Sequence, residues 1–276
     1  MTAVNDTTPA PTFGTVERVE QVVPGLVRVV LGGSGLDGFE EPFWTDAYVN
    51  LLFAPPGAPY AVPFDLGEAR RLPRDLWPVP RRFTVRRWDA ARRELWIDFV
   101  THGDEGTAGR WAQQAAPGEV LQFQGPSGDY RPDPDVSCHL MVGDESALPA
   151  IAASLEAVPE SARALVVGLV EDPEAELTLA TRGALEVVWL HRSALTGPSD
   201  QALAAAVAAL DFPAGDVHAF VHGEAVETRA VRRHLLGERG VPRERLSVSP
   251  YWRRTLTDER WREVKADWLR EVEADV

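Results

Sequence analysis

The first half of the chain alternates apolar and polar positions in short runs broken by glycine and proline. Runs at Phe13–Val19, Leu26–Leu31, Ala47–Phe53, Arg82–Trp88, Glu94–Thr101 and Val120–Gln124 carry the two-residue period and the aromatic and β-branched content of strands. Six such runs predict an antiparallel β-barrel. The Pro-rich stretch Pro55–Pro80 is a long loop of the kind that wraps a core or covers a site.

Past Arg131-Pro-Asp-Pro-Asp135, a stiff connector, the pattern changes. Continuous apolar runs at His139–Val142, Ala164–Val170, Leu185–Leu190 and Val217–His222 alternate with helical stretches at Ala147–Val158, Asp200–Leu210 and Glu224–Arg239. Buried strands separated by helices predict a parallel sheet covered on both faces. Leu246–Ser249 adds an edge strand, and Asp258–Glu273 reads as a terminal helix. The predicted fold class is therefore two-domain: an N-terminal antiparallel β-barrel over residues 13–130, then an α/β domain with a parallel sheet and a terminal helix over residues 136–276.

Composition narrows the function. The net charge of −14 across 276 residues argues against general nucleic-acid binding, which needs a basic face. No apolar run approaches the roughly 20 residues of a membrane span, so no membrane insertion is expected. The single cysteine, Cys138, rules out an intrachain disulfide and a thiolate-held cluster, which fits a cytoplasmic protein. Cys138 opens a strand and reads as a small buried hydrophobe.

Two segments of the barrel carry candidate chemistry. In Arg81-Arg-Phe-Thr-Val-Arg86, strand parity puts Arg81, Phe83 and Val85 on one side and Arg82, Thr84 and Arg86 on the other. Arginine matches phosphate oxygens, Phe83 offers a stacking face, and Thr84 offers a hydroxyl to a ring nitrogen. Residues His102 to Trp111 form a small-residue turn entering a helix, with Thr107 as its expected N-cap. Such a helix start receives a pyrophosphate on its backbone amides. Together they suggest a flavin site. In the second half, Gly143 and Gly223 each follow an apolar strand and precede a helix, where open α/β sheets bind ligands. Neither stands in a Gly-x-Gly-x-x-Gly fingerprint. His191-Arg192 is a surface basic pair or a partner for an adenosine 2′-phosphate.

With these motifs in order, the chain resembles the siderophore-interacting protein family, flavin-dependent ferric-siderophore reductases of the ferredoxin–NADP reductase superfamily. The resemblance runs from about Gly14 to Trp268. It rests on Asp46-Ala-Tyr-Val, Arg81 to Arg86, Asp98-Phe-Val-Thr-His-Gly-Asp-Glu-Gly106, Gly143 to Ile151, Trp189 to Arg192, His222-Gly-Glu-Ala225 and Tyr251-Trp-Arg253. It implies FAD bound by Arg81, Phe83, Thr84, Val85, His102, Asp104, Thr107 and Ala108, with Phe83 in place of the usual tyrosine. It implies an electron donor, NAD(P)H or reduced ferredoxin, near Gly143, Asp144, Glu145, Gly223 and Glu224. Asn50, Arg253 and Arg254 are the implied substrate residues. The implied partner is a ferric siderophore, the expected state is monomeric, and no catalytic acid, base or metal ligand is called for. Asn50 stands where the family often has lysine; Pro250 and Thr255 stand where it has glycine. Alternatives are a flavin reductase acting on another acceptor or a protein partner, and a non-catalytic ferric-chelate binding protein.

Overall fold

A computed structural model describes residues 10–101, 106–212 and 216–275. Strands β1 (Thr12–Val23), β2 (Leu26–Gly32), β3 (Tyr48–Phe53), β4 (Val79–Asp89), β5 (Glu94–Val100) and β6 (Val120–Ser127) close a barrel in the order β1-β2-β5-β4-β3-β6. Each expected strand is present, and β1 runs four residues past its predicted end. Closure leaves no strand edge, and one face of each strand fills the barrel interior. Val29, Leu31, Val49, Leu51, Leu95, Ile97 and Phe99 lie there without solvent contact.

The Pro-rich loop wraps a core. It contains the short helix α1 (Leu66–Ala69), and Phe64 and Ala69 pack with Leu52 outside the barrel interior. The buried Gln122 side chain clamps the loop: its carbonyl accepts from Phe64 N at 2.8 Å and its amide donates to Phe64 O at 3.0 Å. Helix α2 (Thr107–Gln114) precedes β6 and buries Ala108 and Ala112.

The second half forms a five-stranded sheet ordered β11-β10-β7-β8-β9, from β7 (Cys138–Asp144), β8 (Arg163–Val170), β9 (Ala184–His191), β10 (Val217–Glu224) and β11 (Leu246–Trp252). All four pairings are parallel. Helices α3 (Leu148–Ala157), α4 (Ala202–Ala209), α5 (Ala225–Arg233) and α6 (Asp258–Glu273) accompany it. The stretch expected as one helix to Arg239 is α-helical to Arg233 and then makes a π turn over His234–Glu238. Cys138 is buried in the apolar core of this sheet. The chain leaves β7 toward β8 and β9, then returns to β10 on the other flank, so strand order reverses between β7 and β10. Carboxyl ends of strands at such a reversal form the ligand crevice of open α/β sheets.

By backbone contacts the chain divides into two compact units. One holds the barrel residues through Gln21, with Val27–Pro42 and Ala47–Ser127; the other holds Val22–Leu26, Phe43–Asp46 and the chain from Gly128 onward. No described helix is long and apolar enough to cross a membrane.

Candidate functional site

In the barrel unit, β4 carries the Arg81–Arg86 motif against β3. The register pairs Leu51 with Arg81, Asn50 with Arg82, Val49 with Phe83 and Tyr48 with Thr84. Arg81 and Phe83 therefore share the face of the buried Val49 and Leu51, while Arg82 and Thr84 share the face of Tyr48 and Asn50. Phe83 is half-buried and leans on Phe99, with ring centroids 4.4 Å apart and planes tilted by 36°. Arg81 is half-buried, and its Nη1 donates to Pro80 O at 3.0 Å.

On the opposite face, Arg82 Nε donates to Asn50 Oδ1 at 3.3 Å, and its guanidinium lies 5.4 Å from the Tyr48 ring centroid. The amide that replaces the family's lysine is thus engaged by an arginine one strand away. Thr84 is 7% exposed.

Two expectations need correction here. Val85, expected in the cofactor set, is a core residue: its side chain packs in the barrel interior and its amide donates to Ala47 O at 2.7 Å. Thr107 is the first residue of α2 rather than its cap. The cap position falls on Gly106, whose φ of 76° only glycine adopts without strain, and no side chain caps the helix. Among the described residues the first-turn amides of α2 have no side-chain acceptor, the condition under which a helix start takes an anion. Ala108 is buried beneath that turn. His102 and Asp104 lie outside the described residues. Asp98, in the same motif, accepts both prongs of the Arg28 guanidinium at 2.7 and 2.8 Å and serves the barrel wall.

The donor set of this unit suits FAD. It combines a cationic fork, a half-exposed aromatic ring and a helix start with no side-chain cap among the described residues, which are the complements of a phosphate, a planar ring and a pyrophosphate.

In the α/β unit, the ends of β7 and β10 lie side by side, His222 opposite Gly143. A Cβ on Gly143 would come within 2.5 Å of both Ala147 Cβ and His222 O. Gly223, at φ 138°, would carry its Cβ to 2.8 Å from Asp144 Oδ2. Packing alone therefore demands both glycines.

Asp144 is fully buried and serves the fold. Its Oδ2 accepts from Glu224 N and from Trp252 Nε1, each at 2.8 Å, and its Oδ1 accepts from Ser146 N at 2.9 Å. One carboxylate thus ties together the ends of β7, β10 and β11. Glu224, 1% exposed, caps α5 by accepting from Glu227 N at 3.1 Å, and also accepts from Arg254 N at 3.0 Å. These two carboxylates, expected to border the donor groove, are turned inward. Glu145 instead receives Arg192 in a half-buried ion pair, and His191 Nε2 lies 2.8 Å from Glu176 Oε1. The basic pair is committed to carboxylates of its own unit.

Arg254, expected to face substrate, is also committed: it donates to Asp200 at 3.0 Å, to Ser199 Oγ at 2.7 Å and to Glu227 at 2.8 Å. The half-buried Arg253 has no side-chain partner among the described residues. Thr255 sits at φ 69°, a left-handed conformation that costs a non-glycine residue about 1–2 kcal/mol. The glycine usual at this place answers that requirement. Pro250 lies on the edge strand β11, where its missing N–H breaks no ladder on the outer side.

Sequence reasoning missed Glu227 and Trp252. Glu227 follows its cap residue on α5 at a spacing that reads as an ordinary first-turn carboxylate. It is 1% exposed, and burial pushes its carboxyl up to about 7, with Asp144 and Glu224 adding repulsion and Ser199 and Arg192 opposing. The folded value lies above the unfolded one, so the native state retains a proton that the unfolded chain releases between pH 4.5 and about 7. Stability linked to Glu227 is complete below pH 4.5 and is lost as pH rises through about 7, roughly 3 kcal/mol in all. Glu227→Gln is expected to flatten the decline of urea stability across that window; equal pH slopes in variant and parent would exclude the effect.

With the geometry in place, comparison with known proteins is decisive. A family model described as a siderophore-interacting FAD-binding domain matches residues 15–130, and one described as siderophore-interacting protein matches residues 136–255. The chain belongs to the siderophore-interacting protein family. The ferric vibriobactin reductase ViuB of Vibrio cholerae is 34% identical over 255 residues, covering 89% of this chain and 90% of that protein. The NADPH-dependent ferric-chelate reductase of Escherichia coli is 34% identical over 243 residues, covering 86% and 91%. An uncharacterised protein of Mycobacterium tuberculosis is 40% identical over 271 residues, covering 94% and 95%. Among solved structures, the siderophore-interacting protein SipS of Aeromonas hydrophila superposes with a TM-score of 0.78 at 29% identity, over 95% of this chain and 98% of that one. The ferredoxin reductase in carbazole 1,9a-dioxygenase shares the fold, with a TM-score of 0.63 at 18% identity over 89% of this chain and 71% of that one. The expected barrel-then-α/β architecture is the one this family and these reductases share.

Proposed function

We propose that this protein is an FAD-dependent reductase that reduces a ferric siderophore and releases Fe(II), with NAD(P)H or reduced ferredoxin as the electron source. Family membership, together with relatives named as ferric vibriobactin and ferric-chelate reductases, supports the substrate class. The observation that carries the cofactor is the barrel donor set, above all Arg81 and the half-exposed Phe83 ring side by side on one face of β4. Bound FAD supplies the one thing the chain lacks, conversion between a two-electron donor and one-electron delivery to iron.

The residues bind, orient and steer. Arg81 and the first-turn amides of α2 hold phosphate oxygens, and Phe83 backs a planar ring. Arg253, without an internal partner, is the cation that attracts an anionic chelate against the chain's net charge of −14. Asn50 is held by Arg82, so the cation beside that position is the exposed Arg82 guanidinium. Oxygen ligands hold Fe(III) far better than Fe(II), so electron transfer alone loosens the metal. No side chain is required to take or give a proton in that step.

The test is spectroscopic. Purified protein is expected to show flavin absorption that bleaches anaerobically with NADPH, NADH or reduced ferredoxin and returns when a ferric siderophore is added, with Fe(II) trapped by a chromogenic chelator. Flavin that reduces normally but is not reoxidised by any ferric chelate would overturn the substrate assignment. Colourless protein that takes up no FAD would overturn the enzyme itself.

A further inference from the structure

The α/β unit holds a second cavity away from the carboxyl ends of its strands. It has a volume of about 200 Å³ and lies between α5, β11 and α6. A water molecule occupies roughly 30 Å³ in the liquid, so there is room for a ligand of several heavy atoms. Leu246 and Val248 of β11 and Trp268 of α6 give it apolar walls, and Arg229, Arg232 and Arg243 bring three guanidinium groups to its lining.

Arg232 is the telling residue. It is 7% exposed, and its Nη1 donates to the Val272 carbonyl at 2.9 Å. That acceptor is neutral, and no carboxylate stands within ion-pair distance of Arg232 among the described residues. Its neighbour Arg229 is committed, gripping Asp275 through Nε and Nη2 at 2.5 and 2.7 Å. Asp275 and Glu273 attract Arg232 without pairing with it directly, and an anion in the adjoining cavity would give it a direct partner. Burial and then the repulsion of Arg243 and Arg229 lower the pKa of Arg232, against the attraction of Asp275 and Glu273.

We infer that this cavity binds a small monoanionic carboxylate with an apolar body. The arginine fork matches a carboxylate, with Arg243 also in the lining, and the walls match the body. Glu273 is also in the lining and opposes a second negative charge, which disfavours a phosphate dianion. The inference does not depend on the reductase reading.

Calorimetric titration of the FAD-loaded protein with benzoate at low salt tests it. One benzoate per chain is expected, binding at least about tenfold more tightly than benzyl alcohol or inorganic phosphate. Arg232→Gln and Arg243→Gln are each expected to weaken benzoate at least about tenfold. Leu236→Trp keeps both charges but fills the mouth of the cavity, and is expected to block binding as well. Should Arg232→Gln lose its native near-ultraviolet dichroism, Arg243→Gln and Leu236→Trp decide. The inference is overturned if benzoate gives no binding heat, if either of those two variants binds it undiminished, or if phosphate binds as tightly as benzoate.

Discussion

Asp144→Ala is expected to destabilise the α/β unit by roughly 3–5 kcal/mol, about 1–3 for the buried Glu224 amide left without an acceptor and less for each half-buried donor. The donors are the Glu224 amide, the Trp252 indole and the amide and hydroxyl of Ser146, which belong to three different segments. Truncation leaves the Glu224 amide in a space that water does not reach, and the Ser146 and Trp252 donors half-buried. The effect propagates because Glu224, whose amide the carboxylate anchors, itself caps α5 and accepts from the Arg254 backbone. Asp144→Asn is expected to cost less, since one oxygen remains an acceptor, although its NH2 now faces a donor. Urea unfolding followed by tryptophan fluorescence measures both. A loss within 1 kcal/mol for the alanine variant would mean that the carboxylate is not the lock described.

That lock explains which parts of the site were legible in the sequence. Periodicity sufficed for the strands, because apolar alternation is imposed wherever one face is buried. The two glycines at the ends of β7 and β10 were equally visible, but their reason was not. A glycine after a strand suggests a ligand approaching the backbone, whereas here the approaching groups are Ala147, the His222 carbonyl and the Asp144 carboxylate. Nothing in one dimension distinguishes these cases. Acidic residues beside such a turn look like ligand contacts for the same reason, and Asp144 and Glu224 prove to be internal acceptors. Arg254 suggests a substrate-facing cation in the sequence because its partners, Ser199, Asp200 and Glu227, lie at least 27 positions away. Thr255 is the reverse case. Departure from a usual glycine pointed to a conformational demand there, and its φ of 69° answers to it.

Strand parity turns the flavin assignment into a sharp comparison. Arg81 and Phe83 share one face of β4, whereas Arg82 points to the face of Asn50 and Tyr48. Arg81→Ala is expected to weaken FAD roughly 10–100-fold, since a charge-assisted bond from arginine to phosphate contributes about 1.5–3 kcal/mol. Arg82→Ala, one residue away and equal in charge, is expected to change FAD affinity by less than about threefold. Phe83→Tyr, which restores the family's usual residue, keeps the stacking face and is expected to hold FAD at least as well as the parent. Flavin retained through ultrafiltration at graded protein concentration reads all three variants without relying on turnover. If Arg82→Ala sheds the flavin while Arg81→Ala retains it, the cofactor lies on the Tyr48–Asn50–Thr84 face. The half-buried Phe83 would then be only the rim of the barrel core, leaning on Phe99 for packing alone.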